Sequence, residues 1–253
     1  MASLIIGKNI IQLEKVQSTN DYTLKLLTKS SPEEGTIVLA NNQTMGKGQA
    51  GNGWESQARK NLTISIILKP SFLEPSKQFY ISKIIALAIY DFLNDILENV
   101  SIKWPNDIYV NNDKIAGILI ENSLIGSKFE YSVVGIGVNI NQKEFSSELM
   151  NPTSLIRETG KIYDLSKLLN NLIQYLNLYY QLLHNGKYPE INSKYLSHIY
   201  RFREIHFFKT QEGIIKGEIT DIKESGQLEI TSVSGEIFYF WFKEIGFQSL
   251  GDF

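Results

Sequence analysis

Cysteine is absent from the 253-residue sequence and histidine is scarce, with three residues in the whole chain. Without cysteine there are no disulfides, no thiolate metal sites and no cysteine nucleophile. His184, His198 and His206 fall outside every motif described below. We therefore expect the three histidines to be structural or surface residues and not bases or metal ligands.

Long apolar runs and a strong excess of one charge are also missing. No stretch of 18 residues is apolar throughout, and residues 1–11 lack the apolar core of a secretory signal. The formal net charge is −2, which argues against a chain that binds DNA through its overall charge. We expect a cytoplasmic protein with no membrane partner.

The order of apolar patterns predicts an α+β domain followed by a small β domain. Helical patterns cover residues 20–29, 75–99 and 165–183, and strand patterns cover 36–41, 61–69, 101–110, 114–122 and 128–140. This order predicts a mixed or antiparallel sheet with helices. Four short strand patterns follow at 205–208, 213–222, 227–232 and 236–242, with glycine-containing turns, and predict a small β-barrel. We place the two domains at residues 1–202 and 203–253.

Residues 43–60, here called the glycine-rich loop, contain Gly46, Gly48, Gly51 and Gly53 and have little apolar content. The pattern predicts a flexible loop in which backbone N–H groups can approach a phosphate, while Lys47 adds positive charge. Trp54 could cover an apolar ligand. The spacing differs from that of a phosphate-binding P-loop, which argues against that class of NTPase. A plain surface loop is the alternative.

The string Lys-Trp-Pro-Asn-Asp at residues 103–107 is a second candidate for chemistry. Pro105 restricts Trp104 to an extended conformation and interrupts strand pairing. Asn106 and Asp107 would then leave the end of a strand, where a carboxylate could hold Mg²⁺ beside a phosphate. A simple turn capped by Asn and Asp is the alternative.

Lys114 begins an apolar strand directly after a predicted hairpin turn. A lysine there could neutralise a substrate carboxylate and then phosphoryl oxygens, although a solvated hairpin lysine has the same pattern. Gly117, Gly135 and Gly137 remove side chains from nearby strands. They predict a slot in which a flat molecule lies against the sheet, with a bulged or edge strand as the alternative.

Taken in order, these segments resemble the catalytic domain of biotin–protein ligases. The family's S-T-N matches residues 18–20, and its loop Q-x-x-G-R-G-R-x-G-R-x-W-x-S aligns in frame with residues 43–56. Its K-W-P-N-D, K-[LI]-[AG]-G-[IL]-L-x-E and G-[IA]-G-[IV]-N motifs match residues 103–107, 114–121 and 135–139. The resemblance covers roughly residues 10–245 and implies a catalytic domain like that of class II aminoacyl-tRNA synthetases, with a C-terminal SH3-like barrel.

The implied activity is ATP-dependent adenylation of biotin, followed by transfer of biotin to a lysine of a biotin carboxyl carrier protein. ATP, biotin and Mg²⁺ are the implied ligands, and no protein nucleophile is needed, which agrees with the absence of cysteine. The sequence does not name the carrier, and it allows both a monomer and a homodimer.

The resemblance also assigns site residues. For biotin they are Ser18, Thr19, Asn20, Gln43, Gly46, Lys47, Gly48, Gln49, Trp54, Lys114, Gly117, Gly135 and Gly137. For ATP or the adenylate they are Gln49, Asn52, Trp54, Lys103, Asn106 and Asn139. Lys114, Lys47 and Asp107 are the catalytic candidates, with Asp107 as the magnesium ligand.

The sequence departs from the family in the glycine-rich loop, where Lys47, Gln49 and Asn52 stand at positions that usually hold three arginines. One positive charge of three remains and no guanidinium is left to bind phosphate in two places. We expect weaker ATP affinity or faster loss of the adenylate. Gln49 and Asn52 can still donate neutral hydrogen bonds, so inactivity does not follow.

Several alternatives stay open. Lipoate–protein ligases share the adenylation step, but their R-R-x-S-G-G-G loop is not found, and octanoyl transferases of the superfamily need a cysteine. A non-catalytic biotin-binding homologue would explain the lost arginines. A nucleic-acid module would use the C-terminal aromatics, which core packing explains more simply. Seventeen residues before Ser18 cannot hold the helix-turn-helix domain of some members, so we expect no DNA binding.

Overall fold

The computed structural model describes residues 5–247, and the N-terminal part of this range forms a sheet with helices. Residues 1–4 and 248–253, at the ends of the two predicted domains, lie outside the described residues. The strands are β1 (Ile10–Leu13), β2 (Ile37–Ala40), β3 (Gly46–Lys47), β4 (Gly53–Trp54), β5 (Leu62–Leu68), β6 (Val100–Lys103), β7 (Asp107–Val110), β8 (Asp113–Ile125) and β9 (Lys128–Val138). The helices are α1 (Thr19–Lys29), α2 (Phe79–Asn94), α3 (Leu155–Thr159), α4 (Leu165–His184) and α5 (Tyr188–Ser197).

Seven of these strands form one mixed sheet in the order β1-β2-β5-β9-β8-β7-β6. Strands β1 and β2 are parallel, and the other neighbours are antiparallel. The predicted mixed sheet with helices is confirmed. Strand β9 is central, between β5 and β8, so the alternative of an edge strand at Gly135 and Gly137 is wrong.

Helix α2 is buried on nearly every side because it contacts the sheet, α4 and α5. This explains why its apolar pattern is wider than the single stripe of a surface helix. The helix is shorter than the predicted 75–99, since residues Pro75–Lys77 form a separate 3₁₀ turn and the α-helix ends at Asn94. None of the helices in residues 5–247 has the length and apolarity needed to cross a membrane.

The single strand predicted over residues 101–110 is instead a hairpin of β6 and β7. Val100 is paired with Val110 and Lys103 with Asp107, so the chain reverses at Trp104, Pro105 and Asn106. Proline has no backbone N–H to contribute to a ladder, and it lies in this turn. The hairpin brings Lys103 and Asp107 opposite each other.

The C-terminal region forms a second, antiparallel sheet of β10 (His206–Thr210), β11 (Ile214–Ile222), β12 (Leu228–Ser232), β13 (Ile237–Phe240) and β14 (Ile245–Phe247). Four of the five strands were expected, and β14 is a three-residue addition. The strand order is β13-β12-β11-β10-β14. Since the two outer strands do not pair within the described residues, the sheet is open there and a closed barrel is not confirmed.

One turn of the C-terminal sheet, residues 223–227, fixes that sheet to the rest of the protein. Trp104 Nε1 donates to the Gly226 carbonyl at 2.9 Å, and Tyr80 Oη donates to Glu224 at 3.1 Å. Gly226 has a φ of +97°, and a Cβ there would lie 2.7 Å from the Phe79 ring. The turn therefore requires glycine both for its conformation and for its close approach to α2.

Candidate functional site

A cavity of about 370 Å³ lies where the glycine-rich loop, strands β8 and β9, the β6–β7 turn and the C-terminal sheet meet. It is lined by every predicted site residue except Gly46 and Asn139: Ser18, Thr19, Asn20, Gln43, Lys47, Gly48, Gln49, Asn52, Trp54, Lys103, Asn106, Asp107, Lys114, Gly117, Gly135 and Gly137. Segments far apart in the sequence therefore converge on one cavity.

The cavity also contains residues that the sequence did not point to. Thr63, Ile64 and Leu119 come from β5 and β8, while Met150, Phe242 and Phe247 come from later segments. The C-terminal aromatics carry no local signal of a site, because their role as cavity wall depends on how the second sheet packs. Their presence shows that the C-terminal sheet completes the site.

The charged residues of the cavity are mainly positive. Lys47, Lys103 and Lys114 line it, and Asp107 is the one carboxylate among its described lining residues. Lys114 Nζ lies 2.7 Å from Asp107 Oδ1, across the β7–β8 pair. A cavity with more lysine than carboxylate favours an anionic ligand.

Lys103 is held in an aromatic environment. Its Nζ donates to Tyr109 Oη at 2.9 Å and lies 5.2 Å from the centroid of the Phe247 ring. Burial lowers the pKa of Lys103, and the nearby charge of Asp107 acts in the opposite direction. An incoming phosphate would stabilise the charged form further, so this lysine suits an anion that replaces water.

Lys47 points to helix α1 instead of standing free in the loop. Its Nζ lies 2.6 Å from Asp21 Oδ1, and this hydrogen bond raises the pKa of Lys47. The ammonium is already neutralised by a residue in the first turn of α1. A catalytic or phosphate-binding role for Lys47 stays a prediction, and it would require the lysine to exchange its partner.

The predicted polar set at the start of α1 is organised by mutual hydrogen bonds. Ser18 caps the helix by accepting from Asp21 N, and Gln43 Oε1 accepts from Thr19 N at 2.8 Å and from Thr19 Oγ1 at 3.2 Å. Ser18, Thr19 and Gln43 are all buried. Their geometry is therefore fixed before any ligand binds.

Asn20 is engaged more completely than its neighbours. Its Nδ2 donates to Glu121 Oε2 at 2.8 Å and to the Leu119 carbonyl at 3.3 Å, and its Oδ1 accepts from Ser65 Oγ at 2.6 Å. Both amide protons are used, so one lone pair of Oδ1 remains for a ligand. Asn20 is thus chiefly a link between α1 and the sheet.

The predicted slot above the glycines is covered by protein side chains. A Cβ on Gly137 would lie 2.3 Å from the Trp54 ring, one on Gly117 would lie 3.0 Å from it, and one on Gly135 would lie 2.4 Å from Asn20 Oδ1. The glycines therefore make room for Trp54 and Asn20, and the expectation that a flat ligand rests directly on the sheet stays a prediction that would require these side chains to move. Trp54 Nε1 is buried and finds no acceptor among residues 5–247.

The glycine-rich loop contains a short hairpin and so is more regular than predicted. Gly46 is paired with Trp54, and Gly48 N donates to the Asn52 carbonyl at 2.7 Å. Gly46 supports the hairpin from outside the cavity, because a Cβ there would lie 2.3 Å from the Trp54 carbonyl oxygen. Gln49 Oε1 is buried without a donor in the described part of the chain.

The two asparagines assigned to the nucleotide differ in position. Asn106 lines the cavity and donates from Nδ2 to the Ile118 carbonyl at 2.7 Å. Asn139 is 4% exposed and does not line it; its Nδ2 donates to the Thr153 carbonyl at 3.0 Å. A contact between Asn139 and a nucleotide stays a prediction, since the side chain lies behind the cavity wall.

Asp107 can be tested as a magnesium ligand from its surroundings. Among the described residues there is no group of three or more His, Cys, Asp or Glu side chains that could hold a metal ion by itself. Mg²⁺ commonly takes one or two carboxylates and obtains its other ligands from substrate phosphates and water. A single carboxylate in the cavity fits a magnesium ion that arrives bound to the phosphates of ATP. Asp107 would then contact both the ion and Lys114.

Comparison with known proteins gives consistent matches. Residues 13–139 match the profile of a family described as the Biotin/lipoate A/B protein ligase family. The chain is 30% identical over 232 residues to a biotin–[acetyl-CoA-carboxylase] ligase of Paracoccus denitrificans, covering 88% of this chain and 94% of that relative. It is also 30% identical over 174 residues to the bifunctional ligase/repressor BirA of Bacillus subtilis, covering 67% of this chain.

In the Bacillus relative the chain spans 53%, or about half, of the length. Among solved structures, the biotin protein ligase from Aquifex aeolicus in complex with biotin and ATP superposes with a TM-score of 0.79 at 29% identity. That superposition covers 95% of this chain and 99% of the other. The similarity therefore extends through both sheets.

Proposed function

The chain belongs to the biotin/lipoate A/B protein ligase family, and from this premise we propose that it adenylates biotin with ATP and transfers biotin to a lysine of a biotin carboxyl carrier protein. The observation that carries the proposal is the convergence of the five motifs. All five contribute residues to one lysine-rich cavity, the fifth through Gly135 and Gly137. The carrier is inferred from the name of the Paracoccus relative, an acetyl-CoA-carboxylase ligase.

The polar and positive ends of the cavity match the two ends of biotin. Ser18, Thr19 and Gln43 are buried hydrogen-bonding groups suited to a ureido ring, which needs donors and acceptors in a dry site. Lys114 supplies a positive charge for the valerate carboxylate. Because Lys114 is paired with Asp107 at 2.7 Å, the carboxylate would enter by joining or replacing that ion pair.

In the first step a biotin carboxylate oxygen attacks the α-phosphorus of ATP, and the bond to pyrophosphate breaks. Lys114 and Lys103 line the cavity where negative charge collects on the phosphoryl oxygens, and fixed positive groups stabilise such charge most in a water-poor site. Asp107 would hold Mg²⁺, which when bound neutralises charge on the phosphates. In the second step the carrier lysine amine attacks the anhydride carbonyl, and AMP leaves.

Trp54 and the loop hairpin around it lie over the cavity and would exclude water from the adenylate. Water exclusion matters because the mixed anhydride is open to hydrolysis until the carrier lysine arrives. The Trp54 Nε1 donor, which has no acceptor among the described residues, would gain one from a bound ligand. The predicted SH3-like barrel, homodimer, cytoplasmic location and lack of DNA binding stay predictions.

The test is biotin-dependent exchange between ATP and pyrophosphate in the presence of Mg²⁺, with lipoate in parallel. We expect exchange with biotin and none with lipoate, and loss of exchange in Lys114→Ala. The matched control is Lys143→Ala, an exposed lysine outside the cavity, which should keep full activity. Exchange with lipoate alone would identify a lipoate ligase, and no exchange with either acid would favour a non-catalytic biotin-binding homologue.

A further inference from the structure

A buried glutamine just beyond β9 connects the end of the glycine-rich loop to the sheet. Gln142 is fully buried, with 0% of its surface exposed. Its Oε1 accepts from Gln57 N at 2.9 Å and from Asn61 Nδ2 at 2.6 Å, while its Nε2 donates to Glu55 Oε1 and to the Glu144 carbonyl, both at 2.8 Å. All four hydrogen-bonding capacities of the carboxamide are used.

The residues that Gln142 holds are the ones that follow Trp54. Glu55 directly follows Trp54 in the chain, and the second carboxylate oxygen of Glu55 accepts from Ser146 N at 3.1 Å. Gln57 is fixed through its backbone, so the chain cannot shift there without breaking this part-buried hydrogen bond. The loop is therefore tied on its outgoing side to the segment that follows β9.

The same segment reaches the backbone of Lys114. The Gln142 carbonyl accepts from Ser154 Oγ at 2.6 Å, and the preceding Thr153 N donates to the Lys114 carbonyl at 2.9 Å. Gln142 is thus connected by hydrogen bonds both to the residues that follow Trp54 and, through Ser154 and the neighbouring Thr153, to the backbone of Lys114.

We propose that Gln142 is a positioning residue whose buried carboxamide clamps residues 55–57 and thereby holds the Trp54 ring against Gly117 and Gly137. Gln142 does not line the cavity, so it acts through Trp54 and not on the substrate. The inference rests on the proposed function for its consequence, which is retention of the adenylate. The clamp itself is a property of the fold and can be measured without any ligand.

The test compares Gln142→Ala with Asn177→Ala. Asn177 is a matched control, because its side chain also makes four hydrogen bonds, accepting from Ile5 N and Ile6 N and donating to the Ile6 and Ile173 carbonyls. Neither Asn177 nor any of its partners lines the cavity. Each variant loses four hydrogen bonds, so a loss of stability is expected in both, and only the Gln142 bonds reach the residues that follow Trp54.

Two readouts are taken on the full chain: amide hydrogen exchange at Trp54 and Gln57, and the release rate of biotinyl adenylate formed from biotin, ATP and Mg²⁺. We expect Gln142→Ala to raise both exchange and release at least about tenfold, because loss of the hydrogen bond from Gln57 N alone corresponds to about that factor. Asn177→Ala should accelerate exchange at Ile5 and Ile6 and leave adenylate release unchanged. The proposal would be overturned if Trp54 and Gln57 of Gln142→Ala exchanged at the wild-type rate, or if the two variants released the adenylate at the same rate.

If the wild-type protein forms no adenylate, the result counts against the proposed function. Amide hydrogen exchange at Trp54 would still decide whether Gln142 holds Trp54 in place. If Gln142→Ala does not fold, Gln142→Glu replaces it. That change keeps the acceptor but faces the Glu55 carboxylate, and adding Glu55→Gln restores a donor between the two side chains. We expect the double variant to exchange more slowly than Gln142→Glu alone but faster than wild type, because the Glu144 carbonyl still lacks the donor that Gln142 Nε2 supplies. No recovery over Gln142→Glu alone would refute a direct Gln142–Glu55 bond.

Discussion

Replacing Gly137 with alanine tests whether the Trp54 ring occupies the glycine slot. The added Cβ would lie 2.3 Å from Trp54 Cε2, and the ring must retreat by about 1.1 Å to reach the 3.4 Å at which ordinary contact begins. Strand β9 is paired on both sides by β5 and β8, so the backbone cannot yield and the ring has to move. The ring would then also lose its contact with Gly117.

The expected cost follows from overpacking of a well-packed site, about 1–3 kcal/mol in the free energy of unfolding. Urea unfolding measures this cost, and biotin-dependent ATP–pyrophosphate exchange measures the accompanying loss of activity. Gly246→Ala is the control for stability, since the nearest atom to its Cβ would be 3.9 Å away. That variant should stay within about 0.5 kcal/mol of wild type.

The decisive comparison is a double-mutant cycle with Trp54→Ala. Once the ring is gone the Gly137 Cβ meets no indole, and alanine should even stabilise the strand by about 0.5–1 kcal/mol because glycine loses more entropy on folding. The coupling energy between the two positions should therefore exceed about 1 kcal/mol. An equal cost of Gly137→Ala with and without the indole would refute the position assigned to the ring.

Three further predictions follow from other contacts. Burial lowers the pKa of Lys83 to about 8 from 10.5, so between those pH values the unfolded chain binds more protons and the free energy of unfolding should rise with pH. Lys83→Met should flatten that rise in urea titrations. A variant whose free energy of unfolding rises with pH as steeply as that of wild type would count against the lowered pKa. The double variant Gln49→Arg with Asn52→Arg restores two cations in the cavity, and we expect it to release the adenylate more slowly than wild type at low salt. Release rates equal to those of wild type at both a low and a high salt concentration would contradict this. Asn20→Ala leaves Glu121 without its amide partner and should cost about 1–3 kcal/mol in thermal or urea unfolding, so a variant as stable as wild type would argue against the Asn20 network.

Much of the architecture follows from local patterns. The helical pattern at residues 20–29 corresponds to α1, which begins one residue earlier, at Thr19, with Ser18 as its N-cap. The strands β2, β5, β8 and β9 coincide with apolar runs because each pairs with a neighbouring strand on both sides. The five motifs, taken in order, indicated which segments carry the site, because the same residue types in the same order meet the same ligand chemistry.

Local patterns gave less information where a turn falls within an apolar stretch. Residues 101–110 have apolar residues on both sides of the polar string at 103–107, so one strand was predicted where the protein forms the β6–β7 hairpin. The short elements β1, α3, α5 and β14 were not predicted, since three to ten residues carry little periodic signal and take their form from what they pack against. The open order of the C-terminal sheet likewise depends on pairing between distant strands.

The sequence by itself determined the chemistry available to the protein: its lysines, its amides, its carboxylates and the absence of a thiol. Only the tertiary structure decided which of these groups are free. It pairs Lys47 with Asp21, engages both amide protons of Asn20, and lays Trp54 on the glycines that the sequence had left open for a ligand. The physical reason is that such contacts join residues tens of positions apart, as Gln57 and Gln142 do, and their distance and orientation are fixed by packing and not by local spacing.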